Sequence, residues 1–231
     1  MRTLRAAAAL APALLAGWLL CWPAAAAPPS CGSLGGSIEA GQMCHVHTSG
    51  GTYSLDMNFP VDYPDQQALT DYVAQNRDGF VNVSQTSGRR DQSYQMDVTT
   101  EQHTAGQPPH STRSVVLKLF QDVGGARPST WYKAFNYNLG TNQTITFDTL
   151  FAPNTNALDS IFPIVQRELD HQTGSVVPIL PSTGLDSSHY QNFAITDDQL
   201  IFYFAQGEML PSFSGATQAS VPRSAIPPLA L

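Results

Sequence analysis

The stretch VVLKLFQDVGGARPSTWYKAFNY, residues 115–137, contains two strand-like runs separated by a turn. Residues 115–120 are apolar except for Lys118, which is the pattern of a central strand. Residues 130–137 are rich in aromatic side chains, which favour strands. Because residues 123–128 contain two glycines and a proline, the whole stretch predicts an antiparallel hairpin.

A strand followed by a helix is predicted upstream of this hairpin. Apolar and polar residues alternate over 52–59, which indicates a half-buried strand. Asp65 then offers an N-cap, and apolar residues at helical spacing predict an amphipathic helix over 65–84. After a polar loop at 84–92, a further strand is predicted at 94–98, fading into residues 101–109.

The C-terminal third predicts a second helix and three strands. Helical spacing over 158–169 ends at Gly174, and Pro163 either kinks this helix or marks its start. The strands are predicted at 189–195, 199–205 and 216–221. The fold class is therefore α+β, with mostly antiparallel sheets and two main helices. We expect two domains, an N-terminal block at 27–140 and a C-terminal α+β block at 141–231.

The first 26 residues have the pattern of a signal peptide. Arg2 and Arg5 precede an apolar run over residues 6–20, and small residues follow at 24–27, where cleavage is expected. The alternative is an uncleaved segment that anchors the chain in a membrane. Without the two arginines, the mature chain has 9 basic and 18 acidic residues, so its net charge is 9 − 18 = −9. Because its basic residues form no cluster, we expect no nucleic-acid partner.

Export determines how the cysteines are interpreted. Cys21 leaves with the signal peptide, so Cys31 and Cys44 remain to form a disulfide that ties down the irregular arm at 28–41. The sequence Cys44-His45-Val46-His47 is also compatible with a metal site, but it lacks a second nearby cluster of ligands. We therefore predict a disulfide here, with no metal and no cofactor.

One loop contains the residue types of a hydrolytic triad. Ser182, Asp186, Ser188 and His189 lie close together before a predicted strand. A serine hydrolase needs a hydroxyl, a base and a carboxylate that orients the base. These residues are the catalytic candidates, and an ordinary polar turn is the alternative.

Trp131 and Tyr132 are candidates for a binding surface. Both lie in the aromatic strand of the hairpin, where exposed rings would form a stacking platform. The alternative is that these rings belong to the hydrophobic core.

Several short segments resemble the mycobacterial secreted immunogenic protein family. The matching segments are Tyr63–Gln66, Thr130–Phe135, Ile145–Leu150, Phe162–Gln166, Gly184–Asp186, Tyr190–Ala194 and Val221–Ile226. The resemblance implies an N-terminal disulfide, secretion and a β-grasp-like C-terminal part. It also implies kinship with cell-wall carboxylesterases, and the C-terminal block resembles a domain of unknown function in lysozyme-sensing anti-sigma factors. The resemblance carries no catalytic motif that can be matched residue by residue.

Two functions follow as expectations. The first is a carboxylesterase of the serine type that acts on short-chain acyl esters, secreted or associated with the cell wall. The second is a non-catalytic secreted antigen or binding module for an envelope glycan, lipid or protein. In both cases we expect a monomer, with a small acyl ester or an envelope component as its partner and membrane contact only if the signal segment is retained.

Overall fold

The fold is α+β, as predicted, in a computed structural model that describes residues 30–86, 92–124, 127–174 and 178–231. The predicted signal peptide at 1–26 lies outside these residues. The strands are β1 Ser37–Glu39, β2 Met43–Ser49, β3 Tyr53–Pro60, β4 Tyr94–Gln107, β5 His110–Asp122, β6 Ser129–Asn138, β7 Gln143–Thr144, β8 Phe193–Ile195, β9 Gln199–Phe204 and β10 Thr217–Pro222. The helices are α1 Gln66–Gln85, α2 Phe147–Leu150, α3 Ala157–Thr173 and α4 Pro181–Gly184, together with the 3-10 helices Ser187–Tyr190, Ser212–Ser214 and Arg223–Ala225.

Strands β1 to β7 form one sheet in sequence order, the large sheet. The predicted hairpin is confirmed, because β5 and β6 pair antiparallel with Lys118 opposite Tyr132. Only β3 and β4 run parallel within this sheet, among the described residues. Their connection contains α1, because parallel neighbours need a crossover. The predicted helix begins as expected, with the Asp65 carboxylate accepting a hydrogen bond from the N–H of Ala68 at 3.4 Å.

The alternating side chains of β5 bury both faces of the large sheet. Leu117 and its neighbours two residues away pack in one core cluster with Leu69 and Val73 of α1. Val116 lies in a different cluster, together with Ala194 of β8 and Tyr203 of β9. This double burial explains why the strand is an almost unbroken apolar run.

Strands β8, β9 and β10 form a second antiparallel sheet, the small sheet, in the order β10-β9-β8. Phe202 and Phe204 pack in a core cluster with Ile161 and Val165 of α3, while Tyr203 between them faces the large sheet. The molecule is thus layered in the order α1, large sheet, small sheet, α3. No helix among the described residues is long and apolar enough to span a bilayer.

Buried hydrogen bonds link the two sheets. The Asn136 side-chain amide donates to the carbonyl of Phe193 at 2.8 Å, and the N–H of Ile195 donates to the hydroxyl of Ser114 at 3.0 Å. Such bonds favour one alignment of the two layers, because a slip would leave buried polar groups unpaired. The division into two domains at residue 140 stays a prediction.

Two local expectations differ from the structure, and one open alternative is decided. Residues 37–39 form β1 rather than an irregular arm, since Ile38 pairs with Cys44 of β2. Of the two alternatives for Pro163, the start of the helix is excluded, because Pro163 lies inside α3. Residues 187–190 form a 3-10 helix instead of extending β8, because the Tyr190 hydroxyl donates a hydrogen bond to the carbonyl of Gly184 at 2.7 Å.

A disulfide joins Cys31 to Cys44, which are separated by 13 positions in the sequence. Cys44 is fully buried and Cys31 is 6% exposed, so the bond anchors the N-terminal arm in the core cluster beneath α1.

The variant Cys31→Ala/Cys44→Ala is expected to lose about 3 kcal/mol of unfolding free energy, because the open chain gains entropy when it unfolds. Urea denaturation measures this change. Wild-type protein in a reducing agent is the control and should lose a similar amount. A variant as stable as the oxidised wild type would contradict the expectation.

Candidate functional site

The segment at 180–190 is built from two short helical turns that Tyr190 holds in place. The N–H groups of Thr183 and Gly184 donate to the carbonyl of Leu180, both at 2.9 Å, and this closes the first turn. The Tyr190 ring is fully buried and packs edge-on against Phe202, with ring centroids 5.2 Å apart. The residues between these anchors, 185–189, therefore lie on a rigid support, as a catalytic site requires.

His189 has a carboxylate partner, but this partner is not Asp186. Its Nδ1 lies 3.4 Å from Oε1 of Glu208, and both side chains are largely buried, at 28% and 20% exposed. The other carboxylate oxygen of Glu208 accepts a hydrogen bond from the N–H of Ala205 at 2.6 Å. Glu208 is thus fixed at one oxygen and positions the imidazole with the other.

Asp186 serves as an N-cap. Its carboxylate accepts a hydrogen bond from the N–H of Ser188 at 2.9 Å, which starts the 3-10 helix. Hydrogen bonds from the backbone and side chain of Ser188 lower the pKa of Asp186. In the structure, the carboxylate that contacts the His189 imidazole is therefore that of Glu208 rather than that of Asp186.

The serine candidates lie on the surface of the same segment. Ser182 in α4 and Ser188 are exposed, while Ser187 is half-buried. Within the described residues, no hydrogen bond joins a serine hydroxyl to the imidazole of His189. Catalytic hydrogen bonds are often long in unliganded enzymes, so the lack of such a bond leaves all three serines as candidate nucleophiles.

A cleft of about 440 Å³ opens beside this segment. Leu185 and Ser187 form one wall, and Phe147 and Phe151 are among the residues that form the rest. Its volume lies in the range of small-molecule sites, and its lining combines apolar rings with polar groups.

Trp131 and Tyr132 do not form one surface. Tyr132 is only 7% exposed, and its ring lies between the sheets, 5.1 Å from that of Tyr203. Its expected role in a binding surface is therefore corrected to a core role. Trp131 is half-buried, and its indole N–H donates to the hydroxyl of Tyr72 at 3.0 Å.

The chain is similar over its whole length to a protein named an esterase. It is 73% identical to esterase Rv3036c of Mycobacterium tuberculosis over 231 residues, which is 100% of both chains. It is 44% identical over 204 residues to immunogenic protein MPB64 of Mycobacterium bovis and to immunogenic protein MPT64 of Mycobacterium tuberculosis. These alignments cover 88% of this chain and 89% of each relative. The chain belongs to the mycobacterial immunogenic protein family.

Residues 148–224 of this immunogenic protein family member also match a second, domain-level family, which is described as "Protein of unknown function (DUF3298)". Crystal structures of DUF3298 proteins from Bacteroides fragilis and Pseudomonas aeruginosa are similar, with TM-scores of 0.52 and 0.50. They cover 79% and 80% of this chain and 89% and 93% of their own chains, at 13% and 10% identity. At such identities the similarity concerns the fold alone.

Sequence reasoning missed Glu208 in this family member. Glu208 lies 19 positions from His189, on the far side of the β8–β9 hairpin. The sequence does contain one signal for Glu208, because this acid directly precedes the apolar residues Met209 and Leu210. Both of these residues are buried in the structure. An acid beside buried apolar residues usually has a specific partner.

Proposed function

We propose that this protein is an exported carboxylesterase of the serine type that hydrolyses short-chain acyl esters. The observation that carries the proposal is the His189–Glu208 pair, because a histidine with its Nδ1 held by a carboxylate is suited to act as a general base at Nε2. The full-length similarity to a protein named an esterase supports the same reaction class.

The chemistry proceeds in two steps. Nε2 of His189 removes the proton of a serine hydroxyl as the oxygen attacks the ester carbonyl carbon, and the carbon–oxygen bond to the alcohol breaks as the proton passes to the leaving alcohol. Water then attacks the acyl-serine with the same base, which releases the acid and restores the serine. Ser182, Ser187 and Ser188 are the candidate nucleophiles, and Ser187 lines the cleft.

Export and the molecular partner are parts of the same proposal. The disulfide is typical of proteins in an oxidising compartment, and the predicted signal peptide at 1–26 would deliver the chain there. The protein then acts as a monomer, secreted or associated with the cell wall, on a small acyl ester.

A fluorophosphonate probe is expected to label the mature protein at one serine, since such probes react with an activated hydroxyl. Ser182→Ala, Ser187→Ala and Ser188→Ala are compared by labelling and by hydrolysis of p-nitrophenyl acetate. One of the three should lose both signals, while the exposed control Ser49→Ala should keep them. The proposal fails if hydrolysis does not exceed that of heat-denatured protein, or if all three variants label like the wild type.

A second candidate function is a non-catalytic binding module for an envelope component. Trp131 lines a shallow cleft of about 300 Å³ with Gln206 and Ser212, and the neighbouring Phe213 is 76% exposed. An aromatic ring beside amide and hydroxyl groups is suited to bind a glycan. The same probe separates the two functions, because a binding module has no single activated serine.

A further inference from the structure

Two histidines and an aspartate meet on the solvent-accessible face of β2 and β3 that points away from α1. Cys44 and Val46 point into the core, so His45 and His47 lie on the opposite face of β2. In the antiparallel register, His47 is directly opposite Asp56, and His45 is opposite Asn58. Residues paired in this way have side chains close together on the same face. The pairing supplies a third potential ligand, Asp56, that the sequence Cys44–His47 lacks by itself.

The potential ligand atoms already lie close together. Nε2 of His45 is 3.3 Å and Nδ1 of His47 is 3.0 Å from the same oxygen, Oδ2 of Asp56. All three atoms lie within 4.8 Å of one another. Zinc bonds to nitrogen and oxygen are about 2.0–2.2 Å long, so two ligand atoms of a tetrahedral ion are roughly 3.4 Å apart. The two nitrogen–oxygen distances are within a few tenths of an ångström of that spacing, and the two nitrogens lie no more than 4.8 Å apart.

Two further side chains orient the potential ligands. Nδ1 of His45 lies 3.0 Å from Oε1 of Glu39 in β1, which leaves Nε2 directed at Asp56. The Asn58 amide donates to Oδ1 of Asp56 at 3.1 Å, which leaves Oδ2 for the histidines. A histidine held by a carboxylate and a carboxylate held by a donor are the usual outer partners of a metal site.

We propose that His45, His47 and Asp56 bind one divalent transition-metal ion of the zinc type, with Glu39 and Asn58 as orienting partners. Two imidazoles and one carboxylate suit zinc, whereas calcium and magnesium prefer ligand sets made of oxygen alone. The side chains of His47 and Asp56 are 59% and 42% exposed, so an ion has access and water completes its coordination.

The site is separate from the proposed hydrolytic site. It lies on the first three strands of the large sheet. His189 and Glu208 flank β8 and β9 of the small sheet, which packs against β5 and β6 instead. An ion here would connect β2 to β3 beside the Cys31–Cys44 disulfide. The expected consequence is a more stable N-terminal part of the fold, and failure of the esterase proposal would leave this inference intact.

Calorimetric titration of the tag-free mature protein with zinc chloride tests the inference. We expect one saturable ion per chain, and an unfolding temperature that rises with zinc concentration. His47→Ala and Asp56→Asn should abolish both effects, and Glu39→Ala should weaken binding about 10-fold or more, because outer partners typically have effects of that size. His171→Ala, at the exposed end of α3, is the matched control and should bind zinc like the wild type.

Near-UV circular dichroism verifies that each variant is folded before titration. The absence of saturable zinc binding would overturn the proposal. Binding that survives both His47→Ala and Asp56→Asn would also overturn it, because the ion would then occupy other ligands. Glu39→Ala changes only an exposed side chain of β1, so it remains informative if a ligand variant does not fold.

Discussion

His189→Ala is expected to lower kcat/KM for p-nitrophenyl acetate by about 10²–10⁴-fold, the usual contribution of a positioned general base. The expectation follows from the imidazole that Glu208 holds at 3.4 Å through Nδ1. Glu208→Gln should also reduce the rate, because it removes the charge that stabilises the protonated imidazole. The double variant should lose little more than His189→Ala alone, since the two residues act as a unit.

The matched control for this series is His171→Ala, which removes an exposed histidine at the end of α3. Its kcat/KM should equal that of the wild type. Urea denaturation establishes that the His189 and Glu208 variants are folded. A folded His189→Ala protein that hydrolyses the ester at the wild-type rate would remove His189 from the mechanism.

Phe202→Ala is expected to reduce the unfolding free energy by about 3–5 kcal/mol, the usual cost of emptying a buried aromatic site. Phe202 is fully buried, and its ring contacts those of Tyr190, Phe147 and Phe193 at centroid distances of 5.2, 6.1 and 6.2 Å. The cavity would therefore lie at the centre of the core cluster between α3 and the small sheet. The midpoint of urea denaturation measures the loss.

Phe213→Ala makes the same chemical change at a ring that is 76% exposed. Its effect on the unfolding free energy should stay within about 0.5 kcal/mol, as for most surface substitutions. Equal losses for the two variants would mean that the phenylalanine at 202 is not a core residue. The comparison thus separates burial from the loss of an aromatic side chain.

The local elements of the fold could be predicted because their signals are local. Residues 115–137 contain both strands of the hairpin and their burial pattern, and the Asp65 cap precedes its helix directly. The parallel pairing of β3 with β4 could not be predicted, because α1 separates the strands and no local pattern sets their register. The polar half of β4 could not be predicted for a related reason. Its residues at 101–104 are polar and mostly exposed, and they form a strand because β5 pairs with them.

The candidate site shows the same limit. Ser182, Asp186, Ser188 and His189 are close in the sequence, and that proximity suggested a triad. A carboxylate two or three positions away in the chain tends to bond the local backbone, as Asp186 does with the N–H of Ser188. The carboxylate that reaches His189 is Glu208, which the β8–β9 hairpin brings back to it.

The hydrogen bonds between the two sheets have a consequence for how the sequence can diverge. The apolar clusters beneath α1 and beneath α3 lie on opposite outer faces of the paired sheets. Substitutions in one cluster should therefore leave the packing of the other unchanged, and the two clusters can change in sequence independently. Asn136 and Ser114 have no such freedom, because each satisfies a backbone group of the opposite layer. The residues of both outer clusters can thus be substituted during evolution while the polar contacts between the sheets preserve their alignment.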